Sequence, residues 1–205
     1  PDGDRTITQY DMYSVDVGAS SYAIGVIKLD LLGIRNLSIL VGALKLVEQR
    51  RGKKVDIYNL PAGDPKTYAL LSAGHTFGVF QLGSSGMTRY LKELKPETIF
   101  DIMAMIALYR PGPLQFIPEF IARKHNPKLI TYLDPALEQI LARSYGILVY
   151  QDDLLQMTHD LAGYTWEELD KFRKAVGKKI PEEMAKQRTK FIEGCMKVQG
   201  WTREK

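Results

Sequence analysis

Apolar and polar positions alternate from Ser21 to Leu32. Ile27, Leu29 and Leu31 fall on one side, and Lys28 and Asp30 on the other. Side chains along an extended chain alternate in this way, so the pattern predicts a buried strand. Thr6 to Tyr10 and Phe77 to Leu82 read as shorter strand candidates, and Ile147 to Tyr150 as a short buried run. From Leu37 the spacing changes. Leu37, Leu40, Val41, Leu44 and Val47 recur at helical intervals. They predict a helix capped by Asn36 that runs to about Arg51 and is ended by Gly52.

The rest of the chain reads as helices separated by turn residues. Asp64-Pro65 opens one to about Gly74, with an N-cap and a proline at the first helical position. Ser84 or Ser85 caps the next, and Lys95-Pro96 breaks it after about Leu94. Thr98 to Tyr109 is a strongly apolar helix stopped by Arg110-Pro111-Gly112-Pro113. Phe116 to Lys124, Pro135 to Ser144 and Asp152 to Leu161 are helical, with a loop over residues 125–135. Thr165 and Glu168 form a capping box for a helix to about Val176, with Gly177 at its end. Pro181 opens the last helix, to about Val198. The expected fold class is α+β, mostly α: a short β-containing start, then a long helical body.

Composition narrows the classes. With 205 residues the chain makes one large domain or two small ones. Its 45% hydrophobic and 25% charged residues exclude disorder, collagen and coiled coil as whole-chain readings. The longest apolar stretch, Leu37 to Val47, is interrupted by Lys45 and falls short of the ~20 residues that span a bilayer. No membrane partner is expected. Pro1 to Tyr10 is too polar for a secretory leader. The single cysteine, Cys195, rules out an internal disulfide framework and fits a reducing cytosol. The first residue is Pro rather than Met, and the opening nine residues read like the middle of a longer chain. An excised piece is expected.

Net charge is 28 − 24 = +4, a weak pointer to a polyanionic partner. Its distribution says more. Arg173 to Lys190 is rich in Lys and Arg and carries two acids, Glu182 and Glu183. On a helical wheel Arg173 lies within the arc of Leu169, Phe172 and Val176. Arg188 lies likewise among Met184, Phe191, Cys195 and Val198. Charges there are costly unless paired or solvated. Beside Gly177, Lys178 and Lys179 they suit the wall of a phosphate-binding cleft; buried structural ion pairs are the alternative. Arg110 precedes a proline and is biased to an extended conformation. It either faces an anion or satisfies a helix C-terminus.

Lys28 and Asp30 share a strand face, which suits combined phosphate and metal binding. A solvated ion pair worth about 0–1 kcal/mol is the alternative, and periodicity alone favours it. Tyr150-Gln151-Asp152-Asp153 mimics the Tyr-x-Asp-Asp box of reverse transcriptases, but the helical pattern after it places both acids at a helix start. There is no Walker A loop, dinucleotide fingerprint or metal-spaced Cys/His set. His75, His125 and His159 are read as surface or hydrogen-bonding residues.

Several motifs then line up in order. They are Thr8-Gln9-Tyr10-Asp11, Val26-Ile27-Lys28-Leu29-Asp30-Leu31-Leu32-Gly33 and Gly78-Val79-Phe80-Gln81-Leu82. Ala107 through Pro113, Phe120-Ile121-Ala122-Arg123-Lys124-His125 and Tyr145 through Gln151 follow. Leu161-Ala162-Gly163-Tyr164, Gly177-Lys178-Lys179 and Pro181 through Arg188 complete the set. Together they closely resemble the C-family of bacterial replicative DNA polymerases, the family of the DNA polymerase III alpha subunit. The resemblance covers nearly the whole chain.

It implies that residues 1–36 are the C-terminal part of a palm domain and 37–205 part of the fingers. Asp30 would be catalytic, the third of three metal-binding aspartates, and the other two have no match here. Lys28 would lie near the phosphates of the incoming nucleotide, and Arg173 and Lys174 would contact its triphosphate. Arg110 is a further nucleotide candidate. Arg123, Lys124, Lys178, Lys179 and Arg188 are secondary candidates for DNA or phosphate contact. Two Mg²⁺ ions, primer–template DNA and a deoxynucleoside triphosphate are the implied cofactors and partners. A sliding clamp and other replicase subunits would bind elsewhere in the parent, in the bacterial cytoplasm.

There are departures from the family pattern. Lys174 replaces a usual arginine, and Leu29-Asp30-Leu31 a Phe-x-Phe frame. Gly83 replaces a usual glutamate, and Asp152-Asp153 a Glu-Gln pair. With one carboxylate of three, the isolated chain is expected to be inactive. The rival reading is a stand-alone, non-catalytic DNA-binding module. A third is a self-sufficient polymerase using Asp30, Asp152 and Asp153.

Overall fold

A computed structural model describes residues 3–4, 6–17, 20, 22–26, 29, 31–178 and 181–205, with the backbone alone at 178. The chain divides into two compact units, residues 1–57 and 58–205.

The first unit contains α1 (Met12–Val15) and α2 (Arg35–Arg51). Asp11 caps α1, its carboxylate accepting from the Ser14 N–H at 2.9 Å. Gly52 ends α2 as expected, at φ +60°, where a left-handed residue costs glycine little. The start of α2 differs from expectation. Ile34 is the N-cap and supplies no side-chain hydrogen bond, so Asn36 lies inside the first turn. Leu37, Leu40 and Val41 of α2 are exposed.

The expected α+β class is corrected here. Among the described residues no strand forms, and the β-containing palm remnant is not seen. Leu29 and Leu31, expected on a buried face, are 80% and 95% exposed. Ile24 and Val26 donate backbone bonds to the carbonyls of Ser14 (3.0 Å) and Val15 (2.9 Å). Those two bonds do not extend into a ladder. Alternation specifies a face, but a strand also needs a partner edge for its N–H and C=O groups. Thr6 to Tyr10 is irregular, and Phe77 to Leu82 is a succession of turns with Gln81 at φ +61°. Ile147 to Tyr150 has no regular structure.

The second unit holds α3 (Pro65–Ser72), α4 (Ser85–Leu94), α5 (Ile99–Leu108) and α6 (Ile117–His125). Then come α7 (Glu138–Leu141), α8 (Gln151–Ala162), α9 (Trp166–Lys178) and α10 (Pro181–Gln199). The caps explain the boundaries. Asp64 accepts from the N–H groups of Lys66 and Thr67, and the Ser84 hydroxyl from that of Met87. Thr165 and Glu168 make the expected reciprocal box at 3.0 and 3.3 Å. Residues 135–144, expected as one helix, are a short α-turn between two 3₁₀ turns. Helix α9 runs through Gly177 to Lys178, so Gly177 does not end it.

Two apolar clusters organise this unit. One joins α3 to α6 through Tyr68, Leu71, Leu91, Met105, Leu108 and Phe120. The other joins α7 to α10 through Leu141, Leu161, Tyr164, Leu169, Phe172 and Cys195. Each such side chain, fully buried, contributes roughly 1.5–3 kcal/mol. The second cluster sets the orientation of α9. Among the described residues no helix is long and apolar enough to cross a membrane.

Candidate functional site

Burial of Leu169, Phe172 and Ala175 fixes which edge of α9 faces solvent. Asp170, Arg173 and Lys174 stand on that edge, one helical turn apart. One carboxylate holds both cations. Asp170 Oδ1 accepts from Arg173 Nη2 at 2.7 Å, and Oδ2 lies 2.7 Å from Lys174 Nζ. The side chains of Arg173 and Lys174 remain 47% and 41% exposed. Lys174, and then Arg173, keep the Asp170 carboxyl below its ordinary range.

Arg173 also borders an open pocket of about 340 Å³ with Leu148, Val149, Leu154, Leu155 and Val176. This resolves its odd place on the wheel. The guanidinium sits at the rim of an apolar floor, half in solvent, rather than inside the core. The arrangement suits an anion that meets the cations while its less polar part rests on the floor.

Other candidates fall in different places. Arg110 is exposed just beyond α5, beside a pocket edged by Tyr109, Pro111, Gly112, Leu114 and Gln115. Arg188 is exposed next to an almost wholly apolar hollow of about 440 Å³ that includes Met184 and Phe191. Lys28, Asp30 and Lys179 lie outside the described residues, and Lys178 is described in its backbone alone.

Arg123 and Lys124 both have internal partners. Arg123 donates to the carbonyls of Tyr145 (2.8 Å) and Thr131 (3.2 Å) and to Glu119 (2.6 Å). Lys124 donates to the Lys95 carbonyl and to Glu97, each at 3.2 Å, and lies 3.7 Å from Asp101. Both side chains are mostly buried. A charge so placed requires partners.

Asp152 and Asp153 occupy the first turn of α8, as the helical pattern predicts. They line a small pocket of about 220 Å³ with Phe100, Met103, Arg143 and Tyr150. Burial pushes the Asp153 carboxyl and the Tyr150 phenol up from their ordinary values. A helix start favours such carboxylates, and no hairpin surrounds them. His125 donates to the Glu93 carbonyl at 2.9 Å. His159 bonds the Tyr164 carbonyl at 2.6 Å and stacks on Trp166.

Among the described residues no three His, Cys, Asp or Glu side chains gather as metal ligands. Asp30 alone is too small a donor set for an ion pair of Mg²⁺. Two residues were missed from the sequence. Asp170 was signalled by its spacing of three and four before two cations. Asp101 was signalled by Thr98-x-x-Asp101, a capping box with Asp in place of Glu.

The comparisons with known proteins agree with one another. A family model described as the bacterial DNA polymerase III alpha subunit finger domain matches residues 36–199. A DNA polymerase III subunit alpha from Halalkalibacterium halodurans is 44% identical over 202 residues, 98% of this chain and 18% of that protein. The one from Thermus aquaticus is 44% identical over 196 residues, 93% of this chain and 16% of that protein. The one from Aquifex aeolicus is 42% identical over 200 residues, 97% of this chain and 17% of that protein. The chain thus spans less than a fifth of the length of these relatives.

Proposed function

The chain belongs to the finger-domain family of the bacterial DNA polymerase III alpha subunit, and from that premise we propose that it serves template-directed DNA synthesis within a longer catalytic chain. Residues 1–36 are then the end of the palm and 37–205 part of the fingers. Arg173 and Lys174 receive the triphosphate of the incoming deoxynucleotide. The observation that carries this reading is the pair of cationic heads held on one carboxylate, 2.7 Å each, at the exposed rim of an apolar pocket.

The chemistry asked of the pair is electrostatic. Charge builds on the phosphate oxygens during transfer, and preorganised cations stabilise it. Arg173 can take two phosphate oxygens with its planar fork, whereas Lys174 acts as a point charge. Arg110, Lys178, Lys179 and Arg188 are proposed as secondary contacts to phosphate or the DNA backbone. Lys28 and Asp30 belong to the palm segment. Asp30 is one carboxylate of the three a complete Mg²⁺ site needs, so the remaining donors lie in other parts of the parent. Primer–template DNA is the proposed macromolecular substrate. A clamp and other replicase subunits would engage the parent elsewhere, in the bacterial cytoplasm.

Arg173→Ala in the full-length polymerase is expected to raise the KM for nucleotide about tenfold, the scale of one charge-assisted contact. Steady-state incorporation on a primed template measures it. Unchanged kinetics would remove Arg173 from the site. The isolated chain is expected to give no primer extension in Mg²⁺ or Mn²⁺. Extension that Asp30→Ala abolishes would mean that all the carboxylates are present here.

A further inference from the structure

We propose that Asp170 is a positioning residue for nucleotide binding: its two oxygens hold Arg173 and Lys174 side by side, so that one polyphosphate meets both. The proposal rests on the reading of that pair as the triphosphate contact. Its own support is the geometry. Each oxygen takes a different cation, Oδ1 with Arg173 Nη2 and Oδ2 with Lys174 Nζ. A guanidinium carries five N–H donors and an ammonium three. Engaging one donor of each leaves further donors on both heads to face a ligand.

The chemistry favours positioning over blocking. Long cationic side chains are mobile at a surface, and fixing them on binding weakens affinity. A carboxylate that already fixes both heads removes that cost, as the groups behind metal ligands and catalytic residues do. Lys174 gains most, because an ammonium has no planar fork to orient it. The opposite possibility is that Asp170 competes with phosphate for the two cations. The two ideas differ in sign.

The test uses the full-length polymerase and an ordinary deoxynucleoside triphosphate on a primed template. Asp170→Asn removes the charge and one acceptor from an exposed position, and thermal unfolding should be unchanged. The KM for nucleotide should rise about fivefold, the size of a surface ion pair, with kcat within about twofold. In the Arg173→Ala, Lys174→Ala background the same substitution should add nothing, since it acts through that pair. A lower or unchanged KM in Asp170→Asn overturns the proposal. So does a fivefold rise that persists in the background without the pair. If Arg173→Ala, Lys174→Ala itself leaves KM unaltered, the underlying reading of the site fails instead.

Discussion

Replacing Asp101 by alanine is expected to destabilise the second unit by about 3–5 kcal/mol, as loss of one partner of a buried charge pair does. The side chains of Asp101 and Lys124 are 5% and 7% exposed. One carboxylate oxygen of Asp101 accepts from the N–H groups of Glu97 (2.9 Å) and Thr98 (3.1 Å). The Lys124 ammonium lies 3.7 Å from the same oxygen. Alanine leaves two N–H groups at the start of α5 without this acceptor. It also leaves the Lys124 ammonium to the Lys95 carbonyl and the largely exposed Glu97. Asp101→Asn keeps an acceptor and should lose less. Urea unfolding of the chain, followed by far-UV circular dichroism, measures both. A loss below about 1 kcal/mol for alanine would mean that Glu97 or water replaces the carboxylate.

The same residue shows where the sequence was legible and where it was not. Helix starts depend on a few neighbouring atoms, so Asp64, Ser84 and Thr165 could be read directly. Strands depend on a partner elsewhere. The alternation around Leu29 and Leu31 was real, but it could not supply the edge that would pair with it. Glycine misled once. Gly52 ends its helix at positive φ, while Gly177 is passed through by α9, and composition does not separate the two. The site divides along the same line. The wheel puts Arg173 inside the apolar arc of α9, whereas its half-exposed side chain borders an apolar pocket. It could not show that Arg123 and Lys124 face inward, since their partners come from residues 95–101 and 131–145. Basic residues in the sequence therefore include both solvent-facing and internally paired cations, and only three-dimensional partners sort them.

Gly194→Ala is expected to destabilise the second unit by about 2–3 kcal/mol, the upper range for overpacking. Intrinsic propensity argues the opposite sign, because alanine is favoured over glycine inside a helix by about 1 kcal/mol. The packing decides. A Cβ at Gly194 would stand 2.2 Å from the Ala162 carbonyl oxygen and 3.0 Å from its carbonyl carbon and Cα. All three are backbone atoms, so no side chain can swing aside. Helices α8 and α10 would have to part, uncovering Cys195 and Leu161, both buried beside the contact. Gly177→Ala is the matched control, since a Cβ there meets nothing within 4 Å and α9 belongs to the same unit. It should leave stability unchanged or raise it by up to about 1 kcal/mol. The denaturant midpoint should therefore fall for Gly194→Ala and hold or rise for Gly177→Ala. If both rose together, helix propensity would outweigh the α8–α10 approach, and the close crossing that seats α9 and its basic edge would not be the tight contact described.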